Sequence, residues 1–316
     1  MDVISELIQS VGMKSAHLGQ GTLPNPWGID FPHGSGAAFH LVTRGSCWLR
    51  SDQLVAPVQL AAGDLTFVSH RIAYQLVSDL STTAKPIREA FAAAAAARMR
   101  LATQTESTKD GEATNATSFI CGIYHFSVDP IHPFFTELPP IIHIPAHQIA
   151  AHEPMYATQR LLSAELAYAS TEPGTSVLTN RLVDVMLYYI LRQWMNSRHG
   201  QGVSWISAYQ NPYLRNALIA VHKNPAHAWQ VAELAQISGL SRAAFAQRFK
   251  ELLGDTPVNY VTKVRIQKSM ELLVQTDDSI ERISETVGYG TGFALSKAFK
   301  RIAGLSPQQY RQRAAK

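Results

Sequence analysis

Three groups of residues in this chain have the types and spacing to do chemistry. The first is imidazole. Nine of the twelve histidines precede residue 197, among them His33, His40, His70 and His125. Three neutral imidazoles on facing strands would suit zinc, copper or nickel; a lone strand histidine is more often a hydrogen-bonded core residue. The second group is thiol, present only as Cys47 and Cys121. A sensor thiol needs thiolate character and access, helped by nearby positive charge. His125 lies four residues beyond Cys121, on the same face if the segment is a strand. Cys47 is its one available partner, although sequence is silent on the ~5.5 Å Cα separation a disulfide needs. Buried, the two thiols would pack as small hydrophobes. The third group is cationic: Arg242, Arg248, Lys250, Lys263, Arg265, Lys268, Lys297, Lys300 and Arg301 can neutralise phosphates and give salt-dependent affinity. No nucleophile elbow, P-loop or dinucleotide fingerprint occurs.

His40, His125 and both cysteines fall on segments that read as strands. Between 34 and 80, AAFHLVT, SCWLR, DLTFV and AYQLV are short and rich in Val, Leu, Phe, Tyr and Trp, with RG, SD and AGD as punctuation. This spacing predicts an antiparallel barrel or sandwich. Residues 91–117 break the pattern with an Ala run and a polar stretch, and read as a mobile insertion. The strand signal returns in SFICGIYHF, 118–126, and IIHI, 141–144. From Pro154 the period becomes helical. MYATQRLLSAELAYAS and the longer SVLTNRLVDVMLYYILRQWMN, 176–196, read as helices. Apolar residues cover more than one face of the second, so it must bury two sides. One packs on its own domain, and a second copy of the chain is the simplest partner for the other. Residues 197–212 read as a linker.

The cations fall on a unit that occurs twice. In WQVAELAQISGLSRAAFAQRFKELLG, Val231, Leu234 and Ala235 share one helix face. Gly239 ends that helix, Ser241 stands at an N-cap position, and Phe245, Phe249 and Leu252 form a buried stripe. Ala243, Ala246, Gln247 and Lys250 face the other way. This is a helix-turn-helix pattern. The second copy has Ile280, Ile283 and Ser284 at an offset of 49, Gly288 at the turn with one extra residue after it, and Thr291 as the cap. Leu295, Phe299 and Ile302, then Gly304, Pro307 and Tyr310, follow at an offset of 50. Residues 258–275 between the copies read as one continuous helix of about 27 Å. Such a rod can present two reading helices to successive major grooves about 34 Å apart.

Bulk properties agree with this division. A length of 316 residues suggests about two domains, and 46% hydrophobic content supports a sizeable core. From Tyr213 onward there are 15 Lys and Arg against 8 Asp and Glu; residues 1–212 carry 13 against 16. A basic third behind a mildly acidic front suggests a polyanion-binding module joined to something else. No apolar run reaches a membrane span, and the start MDVISELIQSVGM reads as a short amphipathic helix, not a signal peptide. Two cysteines in this length point to a reducing cytoplasm.

The stretch ELAQISGLSRAAFAQRFKELLGDTPVNYVTKVRIQKSMELL with ISETVGYGTGFALSKAFKRIAGLSPQQYR resembles the DNA-binding domain of the AraC/XylS family of bacterial transcription regulators over residues 213–313. WGIDFPHGSGAAFHLVTRGSCWLR, LAAGDLTFVSHRIAYQL and SFICGIYHFSVDPIHPFFTELPPIIHI resemble the cupin-type sensor of one branch of that family. The resemblance implies an α+β protein. Residues 1–196 would hold a cupin-like barrel and a helical dimerisation segment, 197–212 a linker, and 213–316 an all-α double helix-turn-helix domain. It implies base contacts by Ala243, Ala246 and Gln247 and by Gly292, Phe293, Ser296 and Lys297, with Arg242, Arg248, Lys250, Lys300 and Arg301 on phosphates. Double-stranded DNA, a second copy, RNA polymerase and a small-molecule, metal or oxidant effector are the implied partners. In metal-binding cupins a second histidine follows the Gly-Asp strand; here that position is Tyr74, leaving His33, His70 and His125 as substitutes beside His40. Some oxidant-responsive relatives share Cys-Gly at 121–122. The implied protein is not an enzyme; the alternative is a cupin dioxygenase or isomerase with a helical accessory domain.

Overall fold

The computed structural model describes residues 3–33, 36–90, 92, 116–167, 174–197 and 202–314. Most of the expected insertion at 91–117 lies outside them. The chain forms two compact units, one of Lys14–His125 with Pro139–Gln193 and the other of Met1–Met13, Phe126–Leu138 and Trp194–Lys316. These units divide the chain differently from the domains read from sequence. Met1–Met13 and Phe126–Leu138 go with the helix-turn-helix copies, and the expected linker contains a buried helix, Trp205–Gln210. Its Ser204 N-cap accepts a hydrogen bond from Ser207 N, and its Trp205 is fully buried.

The first unit is a sandwich of two five-stranded sheets. One sheet runs β1 (Lys14–Pro24), β9 (Ala116–His125), β3 (Gly36–Arg44), β6 (Leu65–Val68) and β10 (Ile141–Ile144). The other runs β5 (Val58–Ala61), β4 (Ser46–Arg50), β7 (Tyr74–Val77), β2 (Gly28–Phe31) and β8 (Lys85–Pro86). All pairs are antiparallel except β2 with β8. The period-2 rule sends alternate residues of β3 and β9 to opposite faces. Ala38, Val42, Phe119 and Cys121 join Trp27, Leu49, Leu60 and Leu76 in one apolar cluster. On the other face Phe39, Phe67 and Tyr124 pack together, and Tyr124 Oη donates to Val183 O at 2.8 Å. Gly122 is needed there, because a Cβ would stand 2.0 Å from Phe39 Cε1. Any side chain would displace the ring from the core.

Helices Glu153–Ala167 and Thr175–Ser197 follow. The longer one buries Val183, Met186, Leu187 and Ile190 and leaves Val177, Leu178 and Val185 exposed, so the two-sided apolar pattern is a buried side and an open one.

The second unit contains both repeats. Helices Val231–Ile237 and Arg242–Leu253 form the first, and Ile280–Thr286 and Gly292–Ala303 the second. Pro257–Gln275 joins them as a continuous helix of 19 residues, about 28 Å long. Phe245 and Phe249 in one copy and Leu295 and Phe299 in the other are buried.

Candidate nucleic-acid interface and barrel cluster

The second helices of the two repeats, Arg242–Leu253 and Gly292–Ala303, start in the same way. Ser241 accepts from Ala244 N and Thr291 from Ala294 N, both at 3.2 Å, satisfying N–H groups that a helix start leaves unpaired. The turns before them also match. Leu240 N donates to Ala235 O and Tyr289 N to Ser284 O, at 3.0 and 2.8 Å. Gly239 and Gly288 sit at the same step with φ of 65° and 82°. The added residue of the second copy is therefore Gly290, between this turn and the cap.

Outward residues differ between the copies. In the first, Ala243 and Gln247 are exposed and Ala246 is half-buried; in the second, Phe293 and Lys297 are exposed and Ser296 is half-buried. Phe293 leaves 81% of its surface in solvent. Gln247 Nε2 donates to Glu251 Oε1 at 2.8 Å, one turn along, using one of its two N–H groups. The second copy has Arg301 where the first has Glu251. Lys297, Lys300 and Arg301 are exposed, as are Arg242 and Lys250.

Within the sandwich, His40 links the two sheets. Its Nδ1 lies 2.7 Å from Cys121 Sγ and its Nε2 2.6 Å from Tyr74 Oη. Phe31 stacks on the Tyr74 ring with centroids 4.7 Å apart. His40 and Cys121 face each other in the β3–β9 register, which is why the thiol meets this imidazole. Burial lowers His40 to about 3, so the ring is neutral. One nitrogen then donates and the other accepts, giving a thiol–imidazole–phenol chain.

Residues 2–196 match a family model described as Cupin, and residues 234–313 one described as a helix-turn-helix domain. An AraC-like transcription regulator of Streptomyces antibioticus is 30% identical over 314 residues, covering 99% of each chain. The chain belongs to the AraC-like transcription regulators. The HTH-type regulator AlkR of Acinetobacter baylyi is 30% identical over 188 residues, 60% of this chain and 61% of that one. Among solved structures, the AdpA DNA-binding domain in complex with a target DNA aligns with 33% of this chain and 92% of its own, at 26% identity and a TM-score of 0.31.

This DNA-binding regulator departs from its sequence reading at several sites. Gly292 does not face outward. It is buried, and a Cβ there would stand 2.9 Å from Glu281 Oε1. Arg248 is half-buried, with its guanidinium 5.0 Å from the centre of the Tyr213 ring. Lys263 and Lys268 pair with Asp255 and Glu271 at 2.9 and 2.8 Å, and Arg265 donates to the carbonyls of Pro225 and His227. The four histidines singled out by sequence lie in different settings. His33 and His125 are exposed, His70 lies in a turn, and both ring nitrogens of His40 are engaged. Among the described residues no three His, Cys, Asp or Glu side chains come together to hold a metal. His40, not His125, is the imidazole beside Cys121; parity along β9 cannot reveal a neighbour from another strand.

Both thiols are held in the neutral form. Burial pushes Cys47 up to about 12, with the Asp64 carboxylate adding to the effect, and burial raises Cys121 as well. Alkylation of the native protein by iodoacetamide at neutral pH is therefore expected to run at least ~100-fold slower than in the urea-unfolded chain. Mass spectrometry of timed samples measures both rates. Fast native modification of Cys121 would mean that His40 takes its proton and holds a thiolate.

Proposed function

We propose that the regulator reads two adjacent segments of one DNA face, with Ala243, Ala246 and Gln247 on one and Phe293, Ser296 and Lys297 on the other. The carrying observation is a pair of matched, capped helices with unlike outward residues on one continuous helix. Alanine methyls and the phenyl ring suit thymine methyl groups, and Gln247 suits adenine once it releases Glu251. Arg242, Lys250, Lys300 and Arg301 supply the sequence-independent attraction to phosphates.

The exposed Val177, Leu178 and Val185 support pairing with a second copy through this helix. The effector is read as a small molecule whose polar group competes for the His40 chain, since that chain joins the two sheets. RNA polymerase as a partner rests on family resemblance alone.

The test begins with selection of sites for the full chain from a randomised duplex pool. Gln247→Ala is expected to relax specificity at one segment of the selected site and Lys297→Ala at the other, each by roughly 1–3 kcal/mol. Uniform weakening on all sequences by both variants would mark these side chains as phosphate contacts and reverse the assigned orientation.

A further inference from the structure

Residues Phe126–Leu138 leave β9 and enter β10, yet they pack in the helical unit. Within that unit they touch the second repeat and the helix that joins the two copies. Val128 is buried in the cluster of the second copy, with Ile266, Met270, Ile283, Leu295 and Phe299. The next residue, Asp129, donates its backbone N–H to Tyr310 Oη at 3.0 Å, and its carboxylate pairs with Arg313. Ile131 N donates to Gln267 Oε1 of the connecting helix at 3.0 Å. His132 Nε2 lies 3.0 Å from Tyr260 Oη. Tyr260 and Tyr310 are the same position of the duplicated unit, 50 residues apart.

The Tyr260 hydroxyl is fully used. Trp205 Nε1 donates to it at 2.7 Å, and His222 Nε2 lies 2.8 Å away. His132 Nδ1 accepts from Phe134 N at 3.1 Å. The proton of this neutral ring is then on Nε2, which donates to Tyr260. A hydroxyl has one proton and two lone pairs. Tyr260 therefore accepts from Trp205 and His132 and donates to His222. His132, Tyr260 and His222 are all buried, so losing one link leaves a polar group unpaired away from water.

We propose that the 126–138 segment is a clamp that fixes how the two reading helices stand relative to one another, gripped by the duplication-related tyrosines. A helix joining the copies sets their separation. A strap bound to that helix and to the second copy resists rotation of the second copy about the helix. The proposal rests on the reading that both helices touch DNA.

The experiment uses the full chain and a DNA site from the selection above, with versions carrying one or two base pairs inserted between the segments. For the unaltered protein each insertion is expected to cost about tenfold in affinity or more. For the double variant His132→Gln, Tyr310→Phe the insertion cost is expected to shrink to about twofold or less, with the best site bound several-fold more weakly. A clamp variant that stays folded and keeps the original spacing penalty overturns the proposal. Amide hydrogen exchange of the unaltered chain tests the clamp even where the variant does not fold. The Asp129 and Ile131 amides should exchange at least ~100-fold slower than open-loop amides, and unprotected exchange there also overturns it. Failure of Gln247→Ala and Lys297→Ala to change specificity would instead sink the DNA-reading assignment, leaving the exchange result to judge the clamp.

Discussion

Gly288→Ala should destabilise the helical unit by about 4 kcal/mol or more, while Gly239→Ala should cost only about 1 kcal/mol. Both glycines end the first helix of a repeat at positive φ, where an L side chain is strained. That part of the cost is common to the two. What differs is the space around them. A Cβ at Gly239 meets nothing within 4 Å, whereas at Gly288 it would lie 2.2 Å from the carbonyl oxygen of Ala226 and 2.8 Å from that residue's Cα. These are backbone atoms with no rotamer to move, so the second turn must open or the 226 segment must shift. Urea unfolding of the two variants measures the contrast. A difference under about 1 kcal/mol would show that the chain at Ala226 yields easily. The duplicated units are thus equal in local conformation and unequal in what surrounds it.

Acid should remove much of the stability before the carboxylates titrate. Burial lowers His40 to about 3 and His222 to about 4, and burial lowers His132 well below its usual range, with His222 and Lys263 adding to the effect. A histidine lowered in the folded state is neutral there but takes a proton once unfolded. Its contribution is complete above pH ~6.5 and is lost as the pH falls from there toward the folded value. Each such group gives a slope of about 1.4 kcal/mol per pH unit. Three of them remove on the order of 5 kcal/mol between pH 7 and 5. Two belong to the helical unit and one to the sandwich, so the helical unit should show the steeper decline. His222→Gln should remove one proton's worth of slope from it. A flat profile over this range would mean that the imidazoles are solvated or already charged, and the tautomers assigned around Tyr260 would be wrong.

The repeats are the most legible part of the chain. Their caps, glycine turns and buried stripes are local patterns repeated at a nearly fixed offset, and the structure places Ser241, Thr291, Phe249 and Phe299 as the spacing requires. IIHI is a strand with its expected ends. Strands such as Lys14–Pro24, KSAHLGQGTLP, escape a reading by pattern because their glycines and polar residues hide the alternation. The His40 contacts are hidden for another reason. Residue 40 meets residues 74 and 121 through strand pairing and sheet stacking, and nothing along the chain encodes that meeting. Gly292 defeats the helical pattern because glycine has no side chain by which a face can be assigned. The strap is the least legible element. PIHPFFTELPP offers prolines at its edges as punctuation, but its partners, from Trp194 to Gln267, lie tens to more than a hundred residues downstream.

That separation has a consequence for synthesis. Asp129 and Tyr310 are 181 residues apart in sequence, and translation proceeds at about 5–20 residues per second. The strap therefore leaves the ribosome roughly 10–40 s before its second tyrosine exists. In the early part of that interval Phe134 and Val128, both buried in the finished protein, still lack Trp194 and Trp205 in the one case and Ile266, Met270 and Leu295 in the other. Only the grip of Tyr310 on Asp129 must wait for the end of that interval.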